Sequence, residues 1–149
     1  MYDFKEENSR ESVIECLALA EAHYKEVEAK SASIPFNLNL DTMCDLVKNN
    51  MLALIVARKD GVAVGYMCNL VTVDMMTGVL SASELGIYLD PSVRGGKTFL
   101  RLMKATEDIL RAKGVKQHLI MFKAGHDTGL AQRLGYEHTE TTYMKLLEA

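Results

Sequence analysis

A glycine-rich stretch, Arg94-Gly95-Gly96-Lys97-Thr98, stands between an alternating run at 83–89 and an amphipathic run that begins at Phe99. These residue types in this order suit an anion. A glycine-rich loop entering a helix presents backbone N–H groups that have no intrahelical acceptor, and the helix dipole adds positive potential at the same point. Phosphate or pyrophosphate fits such a place. Lys97 and Arg101 add charge nearby, an attraction that weakens with salt. Gly96-Lys97-Thr98 also copies the end of a nucleotide-binding P-loop, but that motif needs a glycine where this chain has Pro91. No apolar strand ending in a magnesium-binding aspartate accompanies it, so the NTPase reading is set aside.

Stepping outward from the loop, Ser83-Glu84-Leu85-Gly86-Ile87-Tyr88-Leu89 alternates and predicts a strand. Simple alternation puts Leu85, Ile87 and Leu89 on one face and Glu84, Gly86 and Tyr88 on the other. After the loop, Phe99, Leu100, Leu102, Met103, Thr106, Ile109 and Leu110 recur at three and four, which predicts a helix stopped by Gly114. Upstream, a short strand at 2–5 leads into a helix opened by Asn8 with Glu11, and Asn39 or Asp41 caps a shorter helix. An apolar run at 51–57 and its partner at 62–73 form a hairpin around Lys59-Asp60-Gly61. Downstream come a strand at 115–122, a short helix at 128–134 and a final strand at 136–147.

The resulting order is strand, two helices, three strands, helix, strand, helix, strand, an α/β (α+β) arrangement in one domain spanning 1–149. A chain of 149 residues, 48% hydrophobic and 25% charged, suits a single globular core. A net charge of −3 argues against a broad basic surface for nucleic acid. Cys16, Cys44 and Cys68 are odd in number and lack metal-type spacing, so buried reduced thiols and a cytoplasmic compartment are expected. The first residues carry no apolar signal core, and no run reaches the length of a membrane span. No metal site is expected either, since the histidines lack a second ligand at suitable spacing.

The stretch Leu89-Asp90-Pro91-Ser92-Val93-Arg94-Gly95-Gly96, followed by an amphipathic helix, resembles the GNAT superfamily of acyl-coenzyme A N-acyltransferases, in a form similar to its small phage-type members. The family signature, Arg/Gln-x-x-Gly-x-Gly/Ala, starts at Arg94. Lys97 and Phe99 stand where Gly and Gly/Ala are usual, and Gly95-Gly96 supplies backbone freedom one or two positions early. Leu134-Gly135-Tyr136 sits where many members join the last helix to the last strand, so the resemblance spans essentially the whole chain. It implies one mixed, mostly antiparallel sheet of about six or seven strands, splayed at the middle, with helices on both faces. The implied activity is transfer of an acetyl group from acetyl-CoA to a primary amine by direct attack in a ternary complex.

The same resemblance implies that backbone at Ile87, Tyr88 and Leu89 pairs with the pantetheine amides and that Arg94, Gly95, Gly96, Lys97, Thr98 and Phe99 hold the pyrophosphate. A carboxylate must take the amine proton, and Glu84 is the first candidate. The tyrosine that often protonates the departing thiolate is replaced by Ala131, leaving Tyr88, Tyr143 or water. His126 and Asp127 fall where a coenzyme- or acceptor-contacting polar residue is common, although Asp127 also suits a helix N-cap. The acceptor is a small molecule, a protein amine or a modified nucleotide. Phe99 and Ala131 also fit a catalytically inactive relative that binds coenzyme A or serves as an interaction or virion-associated protein. Exposed strand edges are compatible with a homodimer.

Overall fold

A computed structural model describes residues 1–28, 34–126 and 128–147. The chain divides into two compact units, Met1–Leu119 and Ile120–Ala149. In the first, five strands form one sheet in the order β1 (Tyr2–Glu6), β2 (Leu52–Lys59), β3 (Val62–Val73), β4 (Leu80–Leu89) and β5 (Gln117–Leu119). The first four are antiparallel neighbours, and β5 runs parallel to β4. Helices α1 (Arg10–His23) and α2 (Leu40–Lys48) lie against β2, β3 and β4, while α3 (Thr98–Ala112) lies against β1, β2 and β3.

The expected hairpin forms because Asp60 and Gly61 take φ of 51° and 84°, the turn whose twist matches that of its flanking strands. β2 is buried from Leu52 to Ala57. Leu52, Leu54 and Val56 join Val13, Cys16, Val47, Tyr66, Cys68 and Tyr88 in one cluster, leaving Ile55 and its partner Met67 for the face that α3 covers. The cap of α1 is Ser9 and not Asn8, since the Ser9 hydroxyl accepts from the Ser12 N–H at 3.1 Å. Past His23 the helix widens into a π-helical turn, Tyr24–Glu28. α3 ends as predicted at Gly114, where the N–H groups of Gly114 and Val115 reach back to the carbonyls of Arg111 and Leu110, each at 3.1 Å.

Two expectations change. The sheet has five strands among the described residues, short of the six or seven expected, because 115–122 contributes only Gln117–Leu119 and 136–147 contributes none. The latter segment is rich in Thr, but Glu and His share its alternating positions, so neither face offers an apolar stripe to bury. Its residues from 137 to 147 are exposed. In the second unit the short helix, α4, spans Leu130–Arg133. Among the described residues, no helix is long and apolar enough to cross a membrane.

Candidate active site

The strand β4 does not alternate as simple parity predicts. Cys68 faces Gly86 and Asn69 faces Glu84 across the β3–β4 ladder, so Leu85 is an extra residue and the strand bulges there. Beyond the bulge the simple alternation fails: Leu85, expected in the core, is 54% exposed, while Tyr88 both packs into the core cluster with Tyr66 and Cys68 and lines the cleft at the end of the strand. Glu84 is itself buried, at 6% exposure. It also stands where β4 loses its parallel neighbour, since the β4–β5 ladder runs from Ser81↔Gln117 only as far as Ser83↔Leu119. The rest of β4 pairs with β3 alone among the described residues.

A polar group is built into the sheet beside Glu84. Asn69 is fully buried, its Nδ2 donates to the Ala53 carbonyl at 3.4 Å, and its Oδ1 lies 2.8 Å from His118 Nε2. With Nδ2 committed to Ala53, Oδ1 is the acceptor and His118 Nε2–H the donor. Burial pushes His118 down to about 4, so it is neutral near pH 7. On the other side of the bulge, burial raises the Cys68 thiol to about 12 and holds the Tyr66 phenol well above its ordinary range, with the Glu84 charge adding to both. The Tyr66 and Cys68 groups therefore remain protonated near pH 7.

The loop after β4 is ordered by its own side chains. Asp90 accepts from the Ser92 N–H at 2.9 Å and from its hydroxyl at 2.6 Å, closing a turn through Pro91. Those bonds also hold the Asp90 carboxyl below the usual carboxylate range. Arg94 folds back, donating from Nε to the Leu89 carbonyl at 2.7 Å and through both terminal nitrogens to Glu26 at 2.7 and 2.8 Å. Its guanidinium also lies 5.2 Å from the centre of the Tyr88 ring. Gly95 takes φ +85°, which a residue with a side chain adopts only at a cost. Lys97 occupies the N-cap of α3 with no side-chain capping bond, leaving the N–H groups at the start of the helix to the loop mouth.

Together these elements enclose an open cleft of about 360 Å³ lined by His23, Glu26, Val27, Ile87, Tyr88, Leu89, Arg94, Gly95 and Phe99. The residues singled out for the cofactor are thus largely brought together: Ile87 through Leu89 along the strand, and Arg94, Gly95 and Phe99 on the loop. Gly96 and Lys97 are exposed beside them, and Thr98 is buried as the first residue of α3. Of the other candidates, Tyr143, 90% exposed, and His126, whose N–H donates to Lys123 O at 2.9 Å, belong to the second unit. Asp127 lies outside the described residues.

Sequence reading did not assign His23, Glu26, Val27 or Tyr66 to the site. His23, Glu26 and Val27 are spaced at three and four, and that signal was visible, but the apolar stripe of α1 directed attention to its core face. Among the described residues, no group of three or more His, Cys, Asp or Glu side chains is placed to hold a metal ion.

No protein-family model matches the chain, and no curated protein matches it in sequence. Solved structures match it along its whole length. A ribosomal-protein-alanine N-acetyltransferase from Brucella melitensis biovar Abortus 2308 superposes with a TM-score of 0.81 at 14% identity, covering 100% of this chain and 99% of that one. An acetyltransferase from Trypanosoma brucei gives 0.73 at 17% identity, covering 98% and 100%. An aminoglycoside acetyltransferase from an uncultured soil metagenomic sample, in complex with sisomicin, gives 0.74 at 18% identity, covering 99% and 96%. The order of strands, the bulged β4 and the loop into α3 lie on a fold shared with these enzymes.

Proposed function

We propose, from the GNAT fold that this chain has, that it is an N-acetyltransferase transferring an acetyl group from acetyl-CoA to a primary amine, with residues 1–149 acting as one domain. The observation that carries the reading is the cleft at the end of β4. Its lining combines the end of β4, which among the described residues pairs with β3 alone, a glycine-containing loop with Arg94, and the N-terminus of α3. The pantetheine arm lies along Ile87, Tyr88 and Leu89, where its amides meet the backbone of the strand. The pyrophosphate meets Arg94, Gly95, Gly96, Lys97, Thr98 and Phe99, where backbone donors, the helix dipole and two cationic side chains act together. An aminoglycoside acetyltransferase of similar fold has been captured with a CoA bisubstrate analogue, at 19% identity and a TM-score of 0.73 over 100% of this chain and 99% of that one.

Glu84 is the general base. It lies at the bulge, next to the cleft-lining segment, and takes the proton from the amine as nitrogen attacks the thioester carbonyl, directly or through water. The acceptor is a primary amine; the enzymes of similar fold include an aminoglycoside acetyltransferase and a ribosomal-protein-alanine N-acetyltransferase. The three free thiols, Cys16, Cys44 and Cys68, suit a reducing compartment.

Glu84→Gln tests the assignment, because the amide keeps the shape of the buried side chain and removes its basicity. Turnover should fall by about 100-fold or more while coenzyme A affinity stays within about twofold. If wild type binds coenzyme A but turns over no amine, and the variant behaves identically in every assay, the chain is a binding protein of this fold and not an enzyme.

A further inference from the structure

The cleft holds a polar pair that the proposed chemistry has not yet used, and its role rests on the acetyl-transfer reading above. His23, the last residue of α1, places Nδ1 2.8 Å from the Tyr66 hydroxyl of β3. Its ring stacks on Tyr88 with centroids 5.4 Å apart and planes inclined by 18°. It also lies directly over the bulge of β4: a Cβ built at Gly86 would come within 3.4 Å of His23 Cε1 and 3.7 Å of its Nδ1. Glycine at position 86 therefore lets an imidazole rest against the strand along which the thioester would run. The partner is fixed, for Tyr66 is 7% exposed within the core cluster. A histidine needed only for packing would not require a buried hydroxyl on one nitrogen and a glycine beneath its ring while lining the cleft.

We propose that His23 protonates the departing coenzyme A sulfur, with Tyr66 as the residue that positions its ring. As the amine nitrogen bonds to the acetyl carbon, the carbon–sulfur bond breaks. The amine proton passes to Glu84 and the imidazolium proton to sulfur, giving one amide and one free thiol. Neutral His23 then regains the proton that Glu84 took, through solvent or the Tyr66 hydroxyl, and the enzyme returns to its starting state. The titratable and charged groups around the ring are Tyr66 from β3, Tyr88 and Glu84 from β4, Glu26 from the helical turn that follows His23, and Arg94 from the loop.

Two readouts test this. In the first, thiol release from acetyl-CoA is followed against pH with an active amine. His23→Gln should lower the rate near pH 7 by about 100-fold and abolish the fall in rate at alkaline pH that loss of an acid produces. Tyr66→Phe should retain most of the rate and displace that alkaline limb. The second needs no acceptor and no variant: proton NMR titration of the His23 imidazole in wild type, alone, with coenzyme A and with desulfo-coenzyme A. The midpoint with coenzyme A should differ from that with the desulfo compound by roughly half a pH unit or more, because only the former presents a thiol to the ring. Equal midpoints, or an unchanged alkaline limb in His23→Gln, overturn the assignment while leaving acetyl transfer intact. If neither compound binds wild type, the acetyl-transfer reading fails and this assignment fails with it.

Discussion

Gly65 couples the fold to the cleft through a contact that leaves no room for a methyl group. It pairs with Leu89 at the end of the β3–β4 ladder, and a Cβ at position 65 would lie 2.5 Å from Leu89 Cδ2, 2.6 Å from the Tyr88 carbonyl oxygen and 3.2 Å from Leu89 Cα. The leucine methyl can rotate away. The carbonyl oxygen belongs to the strand, and the Asp90 N–H to Val64 O bond of 2.8 Å holds the same two chains together one step further on. Relief requires the end of β4 to move outward by about 0.6 Å or more, since tolerated contacts begin near 3.2 Å. Overpacking of this kind costs about 1–3 kcal/mol, offset by roughly 0.5–1 kcal/mol from the lower chain entropy of alanine in the unfolded state. Gly65→Ala should therefore destabilise by about 1 kcal/mol, a fall in Tm of about 2–4 °C for a chain of this size.

Urea unfolding gives the cleanest comparison, with the midpoint lowered and the slope unchanged. Because Tyr88 and Leu89 line the cleft, coenzyme A affinity should fall as well. Gly96→Ala is the control: a Cβ there meets nothing within 4 Å, so stability should change by less than about 0.5 kcal/mol. A Gly65→Ala protein as stable as wild type, with the same affinity for coenzyme A, would refute the close approach of β3 to the end of β4.

Two further predictions concern charge. Glu26 occupies both terminal nitrogens of Arg94, and a bound pyrophosphate competes for the same guanidinium; at 39% and 42% side-chain exposure this ion pair is a weak competitor. Glu26→Gln should thus tighten coenzyme A binding by up to about fivefold at low salt, as read by calorimetry, and weaker binding would mean that Glu26 holds Arg94 in its productive position. His118 has a folded-state pKa of about 4 against an ordinary 6.5, so the unfolded chain takes up a proton that the folded one refuses between those values. The stability it contributes is complete above about pH 6.5 and is lost as pH falls toward 4; a gap of 2.5 units is worth on the order of 3 kcal/mol. In urea unfolding at pH 5 and 7.5, His118→Gln should flatten this dependence, and an unaltered slope would rule out His118 as its source.

Much of the layout was legible because it rests on local patterns. The Asp60-Gly61 turn, the apolar β2, the stripe of α3 and its Gly114 stop all follow from residue types acting over a few positions. The loop at Arg94–Phe99 was legible for the same reason, as a change from alternation to helical period with glycines between. Parity along β4 was not, because the bulge at Leu85 reflects the fit of β4 to β3 and β5 and leaves no mark in the alternating pattern. That one inserted residue turns Leu85, expected in the core, out to solvent. His23 and Tyr66 were hidden differently: they lie 43 residues apart and meet only when α1 crosses the sheet beside Gly86. The final strand at 136–147 was read from its pattern, but its positions mix Glu and His with Thr and Tyr and offer neither face an apolar stripe, and no strand forms there among the described residues.

The central claim is that acetyl-CoA binds at the loop between β4 and α3. Calorimetry with wild type and Gly96→Glu tests it most directly, since position 96 has open space for a side chain and the substitution adds negative charge without straining the fold. The account predicts measurable binding to wild type and a loss of about tenfold or more in the variant, with both proteins equally stable in the absence of coenzyme A. Equal affinity for the two would contradict the placement of the pyrophosphate, and no binding to wild type at millimolar acetyl-CoA would contradict the enzyme reading itself.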